Sequence, residues 1–342
     1  MKYLGLLGSV FNFLMTILKS ERGSFEITEA MVDQFSSNVM HLAQQKASRL
    51  LPHVRIETQN AETAFYDRLG SNEMQRKEGR HSEVKYTDTP HSRRAVTLED
   101  WYLSDLIDKE DKLRIIMNPD SEYAQSFAYS LARRYERTII DGALGLAYAG
   151  KKGQTSVAIP NSQKVAAVDG SGDFSGLNVP TLRKVRKKFK QNESIEMGEK
   201  VIFCMAAQQS DDLLGNTEVT SADFNTVRAL VQGEINTYMG MEFVETELLP
   251  FNAEDFDHEP DGSVADAGQG SGAAETIDAG DARECFAMTA NRGVLLARGL
   301  EVNSRITEES KFHFAHQVYS CLSVGSVRME EEQVVVIFCK ED

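Results

Sequence analysis

The residues that could do chemistry are few and scattered. The densest group is acidic: Asp255-Phe256-Asp257-His258-Glu259-Pro260-Asp261-Gly262 alternates carboxylates before a glycine, as a calcium loop does. An EF-hand frame must close on a bidentate Glu at its last position. Counted from Asp257 that position is Gly268, and Pro260 stiffens the turn, so a solvated loop is expected, with adventitious cation binding as the alternative. A basic group follows another logic: Arg183, Lys184, Arg186, Lys187, Lys188 and Lys190 surround a narrow apolar stripe of Leu182, Val185 and Phe189. The one aromatic in it, Phe189, lies on that stripe, so a solvated or inter-subunit basic face is expected before a nucleic-acid surface. His53, His81, His91, His258, His313 and His316 lack a neighbouring partner motif. There is no G-x-S-x-G elbow, H-E-x-x-H or P-loop, and Gly170-Ser171-Gly172 lacks the rest of a dinucleotide fingerprint. The expectation is therefore no catalytic residue, no cofactor and no metal; a hydrolase whose triad assembles only in space is the alternative from another class.

Cys204, Cys285, Cys321 and Cys339 are too far apart in sequence for a metal knuckle or redox pair. Three sit in apolar runs, where a buried, reduced thiol is the usual state. The 342 residues are more than one compact core usually holds, so two packed domains are expected. Lys and Arg total 37 against 52 Asp and Glu, a net charge of -15, which disfavours a dedicated nucleic-acid binder. Tyr3 to Leu18 is apolar but broken by Gly5, Gly8, Ser9 and Asn12. It is short for a membrane span and no small-x-small cleavage site follows, so it reads as a docking segment for a neighbouring subunit, with a membrane or export role as the alternative.

The elements that must carry these residues follow from periodicity. Met31, Phe35, Val39 and Leu42 predict a helix over 26–50, stopped by Pro52. From Val54 to Asp108 short alternating runs, Arg55-Ile56-Glu57-Thr58 and Val84-Lys85-Tyr86-Thr87, flank a polar segment from Ser71 to Glu83; this predicts a two-stranded arm with a charged tip. A two-stranded ribbon is marginal alone and needs a partner surface. Asn118-Pro119-Asp120-Ser121 opens the strongest helix, with Phe127, Leu131, Tyr135 and Ile139 every fourth residue and Gly142 and Gly145 at its end. Small residues Ala124, Ala128 and Ala132 would let a sheet approach it. Residues 146–178 are loop-rich, and a basic helix starts at Pro180. Lys200 to Met205 is a buried strand, Ser221 caps a helix carrying Phe224 and Val227, and Glu242 to Leu249 alternates as a strand. Residues 251–283 read as an exposed acidic insertion that tolerates deletion from Asp261 to Ala274. Strands are predicted over 284–289, 293–298, 311–322 and 333–339.

This order of parts, closed by Gly325-Ser326-Val327-Arg328-Met329, Glu331 and Val334-Val335-Val336-Ile337, resembles the major capsid protein of tailed bacteriophages. The resemblance implies an α+β, HK97-like capsid fold. On it, 1–53 is an N-terminal arm, 54–108 the E-loop hairpin, and 109–199 a P-domain with its spine helix. Residues 200–320 form an A-domain with the 251–283 insertion, and 321–342 a terminal strand returning to the P/A sheet. It implies self-assembly as pentamers and hexamers into an icosahedral shell around a phage genome. The virion is the implied location, with host cytoplasm during assembly and no membrane. A separate scaffolding protein, a portal, a possible decoration protein and non-specifically contacted double-stranded DNA are the implied partners. An encapsulin-like compartment is the alternative within the class. Arg76, Lys77, Glu78, Arg80, Glu83, Lys85, Arg93 and Arg94 are expected to carry the inter-subunit contacts of the E-loop as distributed ion pairs. No lysine cross-link is expected, because neither the acidic partner nor the asparagine it needs is evident for Lys77 or Lys85.

Overall fold

The structure, a computed structural model, describes residues 45–80, 83–84, 86–107, 119–195, 199–215, 237–252, 254–266, 275–278, 280–299 and 303–341. The apolar N-terminal stretch, the helix predicted from residue 26 to residue 44, the helix capped by Ser221, and Lys85 lie outside them.

The described residues begin with a short turn and four strands, β1 (Arg55–Thr58), β2 (Thr63–Leu69), β3 (His91–Thr97) and β4 (Glu99–Ile107). The helix expected to run to residue 50 does not cover 45–50; Leu50 is buried in the core there and Pro52 lies in a single 3-10 turn, Leu51–His53. Helix α1 (Pro119–Leu144) follows, about 39 Å long at 1.5 Å per residue. Its buried side is Phe127, Ile139, Ile140 and Ala143. The helix runs through Gly142 and closes at Gly145, whose N–H donates to Asp141 O at 2.8 Å. Gly142 is there for packing: a Cβ on it would lie 2.7 Å from Ser326 Cβ. Close approach of the sheet is thus made at Gly142, not at Ala128, which is exposed.

Residues 146–178 hold three short strands, β5 (Ala147–Ala149), β6 (Thr155–Val157) and β7 (Lys164–Ala166). Helix α2 (Val179–Gln191) is capped by Asn178, whose side-chain oxygen accepts from Thr181 N at 3.0 Å. Leu182, Val185 and Phe189 are fully buried, so the narrow stripe is the docking face. Then come β8 (Val201–Met205), α3 (Ala207–Gly215), β9 (Thr237–Tyr238) and β10 (Met241–Glu245). The described remainder is mostly strand, with two 3-10 turns: β11 (Phe256–His258), β12 (Val264–Asp266), β13 (Glu275–Ile277), β14 (Ala282–Thr289), β15 (Val294–Arg298), β16 (Asn303–Glu309), β17 (Ala315–Arg328) and β18 (Val334–Lys340).

Four sheets result. The largest has the order β7-β18-β14-β8-β10-β9; β8, β14 and β18 are buried on both faces, which is why they read as unbroken apolar runs. A second sheet has the order β1-β15-β17-β16, with β4 paired to β17 along its other side. Helix α1 lies on β17 and β15. A third sheet, β2-β3-β5-β6, forms the root of the arm. One core joins the two large layers, with Ile139, Leu296 and Val324 in contact through it with Phe203, Phe286 and Val335. The chain crosses between layers rather than finishing one first: β7 and α2 go with the six-stranded sheet, while β15, β16 and most of β17 go with α1.

The fourth sheet, β12-β11-β13, overturns the reading of 251–283 as an exposed insertion. Phe256, Val264 and Ile277 are buried from it against Ile159, Ala166, Val336 and Phe338, with Phe256 stacked on Phe338 at 4.4 Å between centroids. Ala166 N donates to Gly262 O at 2.9 Å, so the segment closes one face of the six-stranded sheet. Three apolar side chains at strand spacing suffice for a one-sided sheet, and the surrounding polar residues mask them in composition.

Candidate assembly surface

The arm is built where β2 and β3 pair in antiparallel register from Thr63↔Thr97 to Leu69↔His91. The ladder stops there, and Gly70 N donates to Pro90 O at 2.9 Å. Pro90 has no N–H to continue the pairing. Beyond it the two limbs are held by side chains: Asn72 Nδ2 donates to Thr89 Oγ1 at 2.8 Å and Gln75 Nε2 to Thr87 Oγ1 at 3.0 Å. The strand predicted at Val84 to Thr87 is absent at its described residues, because this exchange replaces backbone pairing. The limbs diverge around an open groove of about 830 Å³ lined by Arg76, Lys77, Glu78 and Glu83.

Every residue from Ser71 to Arg80 is exposed, as is Glu83. Arg76, Lys77, Glu78, Arg80 and Glu83 are therefore exposed together on the tip of the arm. Arg93 is on the exposed face of the root, ion-paired with Asp67 at 2.8 Å and placed over the Phe65 ring. Arg94 is a correction. It is 1% exposed, points into the subunit, and pairs with Glu331 while its Nε donates to Met329 O at 3.2 Å. Successive strand residues face opposite ways, so Arg93 and Arg94 cannot share one surface.

Charge is only half of what the arm presents. Leu69, Met74, Val84 and Tyr86 are 69%, 101%, 73% and 94% exposed. They were missed because single apolar residues among charges read as strand faces. A second open surface is β4, exposed at all positions except Ile107, with Trp101, Tyr102, Leu103 and Leu106 among them. Among the described residues its outer edge pairs with no strand. Trp101 is covered on one face by the Arg134 guanidinium at 3.6 Å. An edge strand with large apolar side chains invites a partner.

Elsewhere the polar groups are engaged in the fold. Asp257 is buried and accepts from Thr276 Oγ1 at 2.6 Å, and Asp261 accepts from Ser263 N at 2.8 Å. His258 is buried beside Phe174. Among the described residues no group of three His, Cys, Asp or Glu could hold a metal ion, and no helix is long and apolar enough to cross a membrane. The Cys204 and Cys339 thiols are buried, and their acidity is pushed down, in Cys204 mainly by burial and in Cys339 first by its hydrogen bond with Cys285. On α2, Lys184 and Lys188 face Asp261, and burial lowers the pKa of both, while Arg183, Lys187 and Lys190 are exposed.

Comparison with known proteins fits this geometry. A family model described as "Phage capsid protein" matches residues 27–341. No curated protein matches the chain. The fold is similar to the capsid of cyanophage P-SCSP1u, at 13% identity and a TM-score of 0.67, over 91% of this chain and 93% of that one. It is also similar to a structure of Mycobacterium phage Che8, at 12% identity and a TM-score of 0.62, over 93% and 98%. The acid-stable capsid of Helicobacter pylori bacteriophage KHP30 shares 10% identity at a TM-score of 0.62, over 94% and 99%.

Proposed function

The chain belongs to the phage capsid protein family, and on that premise we propose that its arm is the grip by which one copy holds the next in an icosahedral shell. It is a structural protein, a major capsid subunit of the HK97-like fold, and its place is the virion. The observation that carries the arm reading is the exposure of the whole tip together with Leu69, Met74, Val84 and Tyr86. A limb of this length with no core of its own is stable in one geometry only against another surface. In this reading apolar anchors supply the contact, and Arg76, Lys77, Glu78, Arg80, Glu83, Lys85 and Arg93 set register and partner choice around them. Exposed β4 of a second copy is the matching surface.

Pentamers and hexamers as intermediates, assembly in host cytoplasm, and a separate scaffolding protein, portal and decoration protein belong to the same proposal. So does non-specific contact with packaged double-stranded DNA, for which Arg183, Lys187 and Lys190 form the exposed basic stripe. The test is negative-stain microscopy and size exclusion of the full chain, with its scaffold where one is needed, against the Met74→Asp, Tyr86→Asp double variant. Shells from the first and folded, unassembled subunits from the second are expected. Normal shells from the double variant would refute the grip.

A further inference from the structure

The root of the arm holds an imbalance of charge. Arg94 and Arg328 are 1% and 0% exposed, and Arg68 stands at the rim with its side chain 20% exposed. Among the described residues one carboxylate, Glu331, faces all three. Arg94 Nη2 donates to its Oε1, Arg68 Nη1 lies 3.9 Å from Oε2, and Arg328 Nε lies 4.0 Å from Oε1. Glu330 acts on Arg94 from further away, and its carboxylate accepts from Gln333 Nε2 at 2.7 Å.

Main-chain carbonyls take most of the other donors. Met329 O accepts from Arg68 Nη1 and Arg94 Nε. Arg328 donates through Nη1 to Ala143 O and Gly145 O, both at 2.9 Å, and through Nη2 to Val157 O at 3.1 Å. Two buried donors are left: among the described residues neither Arg94 Nη1 nor Arg328 Nε has a hydrogen-bond partner. A guanidinium keeps its proton in proteins, so titration does not remove the excess charge. Burial first, and then the neighbouring guanidiniums, pull the pKa of Arg94 down and that of Arg328 to about 10. Buried donors and cations without partners are costly, and an added anion relieves both costs at once.

We propose that Arg94, Arg328 and Arg68 form a binding site for one further anion, a carboxylate or phosphate-like oxyanion, entering past Arg68 and Glu331. Planar guanidinium forks suit two-oxygen acceptors. Two sources offer that chemistry, a free oxyanion and a carboxylate of a second copy of this chain. The second source rests on the shell reading, and the chain's 52 acidic against 37 basic residues make it abundant in an assembly.

The probe is inorganic phosphate, titrated into the full chain as free subunits, with chloride holding ionic strength constant. A saturable rise in unfolding temperature and one phosphate bound per chain by calorimetry are expected. Arg68→Gln should remove most of the rise, Arg68→Lys should keep part of it, and Lys200→Gln, exposed just before β8, should leave it unchanged. No saturable response in the native chain, or an equal response in Arg68→Gln, overturns the site. The same titration on assembled shells separates the sources: loss of the response there identifies a second copy's carboxylate as the occupant, and a retained response identifies a free anion. A chain that binds phosphate but never forms shells keeps the site and refutes the shell reading.

Discussion

Arg94 and Glu331 stand 237 residues apart in the chain and meet in a buried ion pair. The pair ties the return strand of the arm to the short turn between β17 and β18, next to the end of α1, where Arg328 caps Ala143 O and Gly145 O. The arm is thus free at its tip and welded at its root, where the neighbouring residues Arg93 and Arg94 of one strand serve the outer and the inner face.

Charge reversal should separate those two faces. Arg94→Glu places a buried carboxylate beside Glu331 and removes its hydrogen-bonded partner, leaving Arg68 and Arg328 at 3.9 and 4.0 Å as the neighbouring cations, and breaking a buried pair costs about 3–5 kcal/mol. Loss of soluble, folded subunit is expected. Arg93→Glu replaces the exposed pair with Asp67, worth about 0.2–1 kcal/mol, and the contact with Phe65 by an exposed repulsion, and should keep the circular dichroism of the native chain with only a small drop in urea midpoint.

Gly142→Ala tests the crossing of α1 and β17. Alanine raises helix propensity by about 1 kcal/mol over glycine, but here its Cβ meets Ser326, whose hydroxyl donates to Thr138 O. Overpacking typically costs about 1–3 kcal/mol, so a net loss of stability is expected in urea unfolding. A gain would show that the two elements are not in contact at this point.

Glu284 should make stability depend on pH. Burial first, then Glu254, outweigh Lys164 and push its carboxyl up to about 7 from an ordinary 4.5. Between these values the folded chain holds a proton that the unfolded chain has released, so stability falls as pH rises through that window and the penalty is complete above it. Glu284→Gln should therefore be more stable than the native chain at about pH 8, by on the order of 1–2 kcal/mol given its partial contact with solvent, and nearly equal at about pH 4. Parallel pH profiles of unfolding for the two chains would count against it.

The acidic segment should behave as core at Phe256 and as surface at Asp278. Phe256→Ala should cost about 3–5 kcal/mol, as large-to-small changes of buried aromatics do. Asp278→Ala is exposed and should stay within about 0.5 kcal/mol. Thermal unfolding of both variants decides whether the small sheet is structural.

Much of this was legible beforehand where one physical cause dominates. The stripe Phe127, Leu131, Tyr135, Ile139 and the runs in β8 and β18 announce themselves, because burial on one face or two writes its own period. Residues 251–283 were misread because three buried side chains, Phe256, Val264 and Ile277, are outvoted by their polar neighbours. Arg94 was misread because an arginine's type says nothing about which way its strand residue faces; that depends on a register fixed by β5 and β17. The apolar half of the arm, Met74 and Tyr86, was hidden for the converse reason, since exposure is a property of the missing neighbour.

Salt should separate the two halves of the grip. At about 1 M salt the screening length falls to about 3 Å. Arg76→Ala with Arg80→Ala should lower shell yield in dilute salt and match the native chain at high salt. Met74→Asp with Tyr86→Asp should stay defective in both, by light scattering.

Strand β18 lies between β7 and β14, pairing in parallel with one and antiparallel with the other. During synthesis, β7 and β14 leave the ribosome well before it, and each waits with an open edge and an uncovered apolar face. The largest sheet closes only when Val334–Lys340 slides in between. Without Val334–Lys340, β7 is detached from the β14-β8-β10-β9 ladder, and the turn that carries Glu331 loses the strand that follows it. A copy without β18 thus lacks part of the rigid base from which an arm could reach a neighbour.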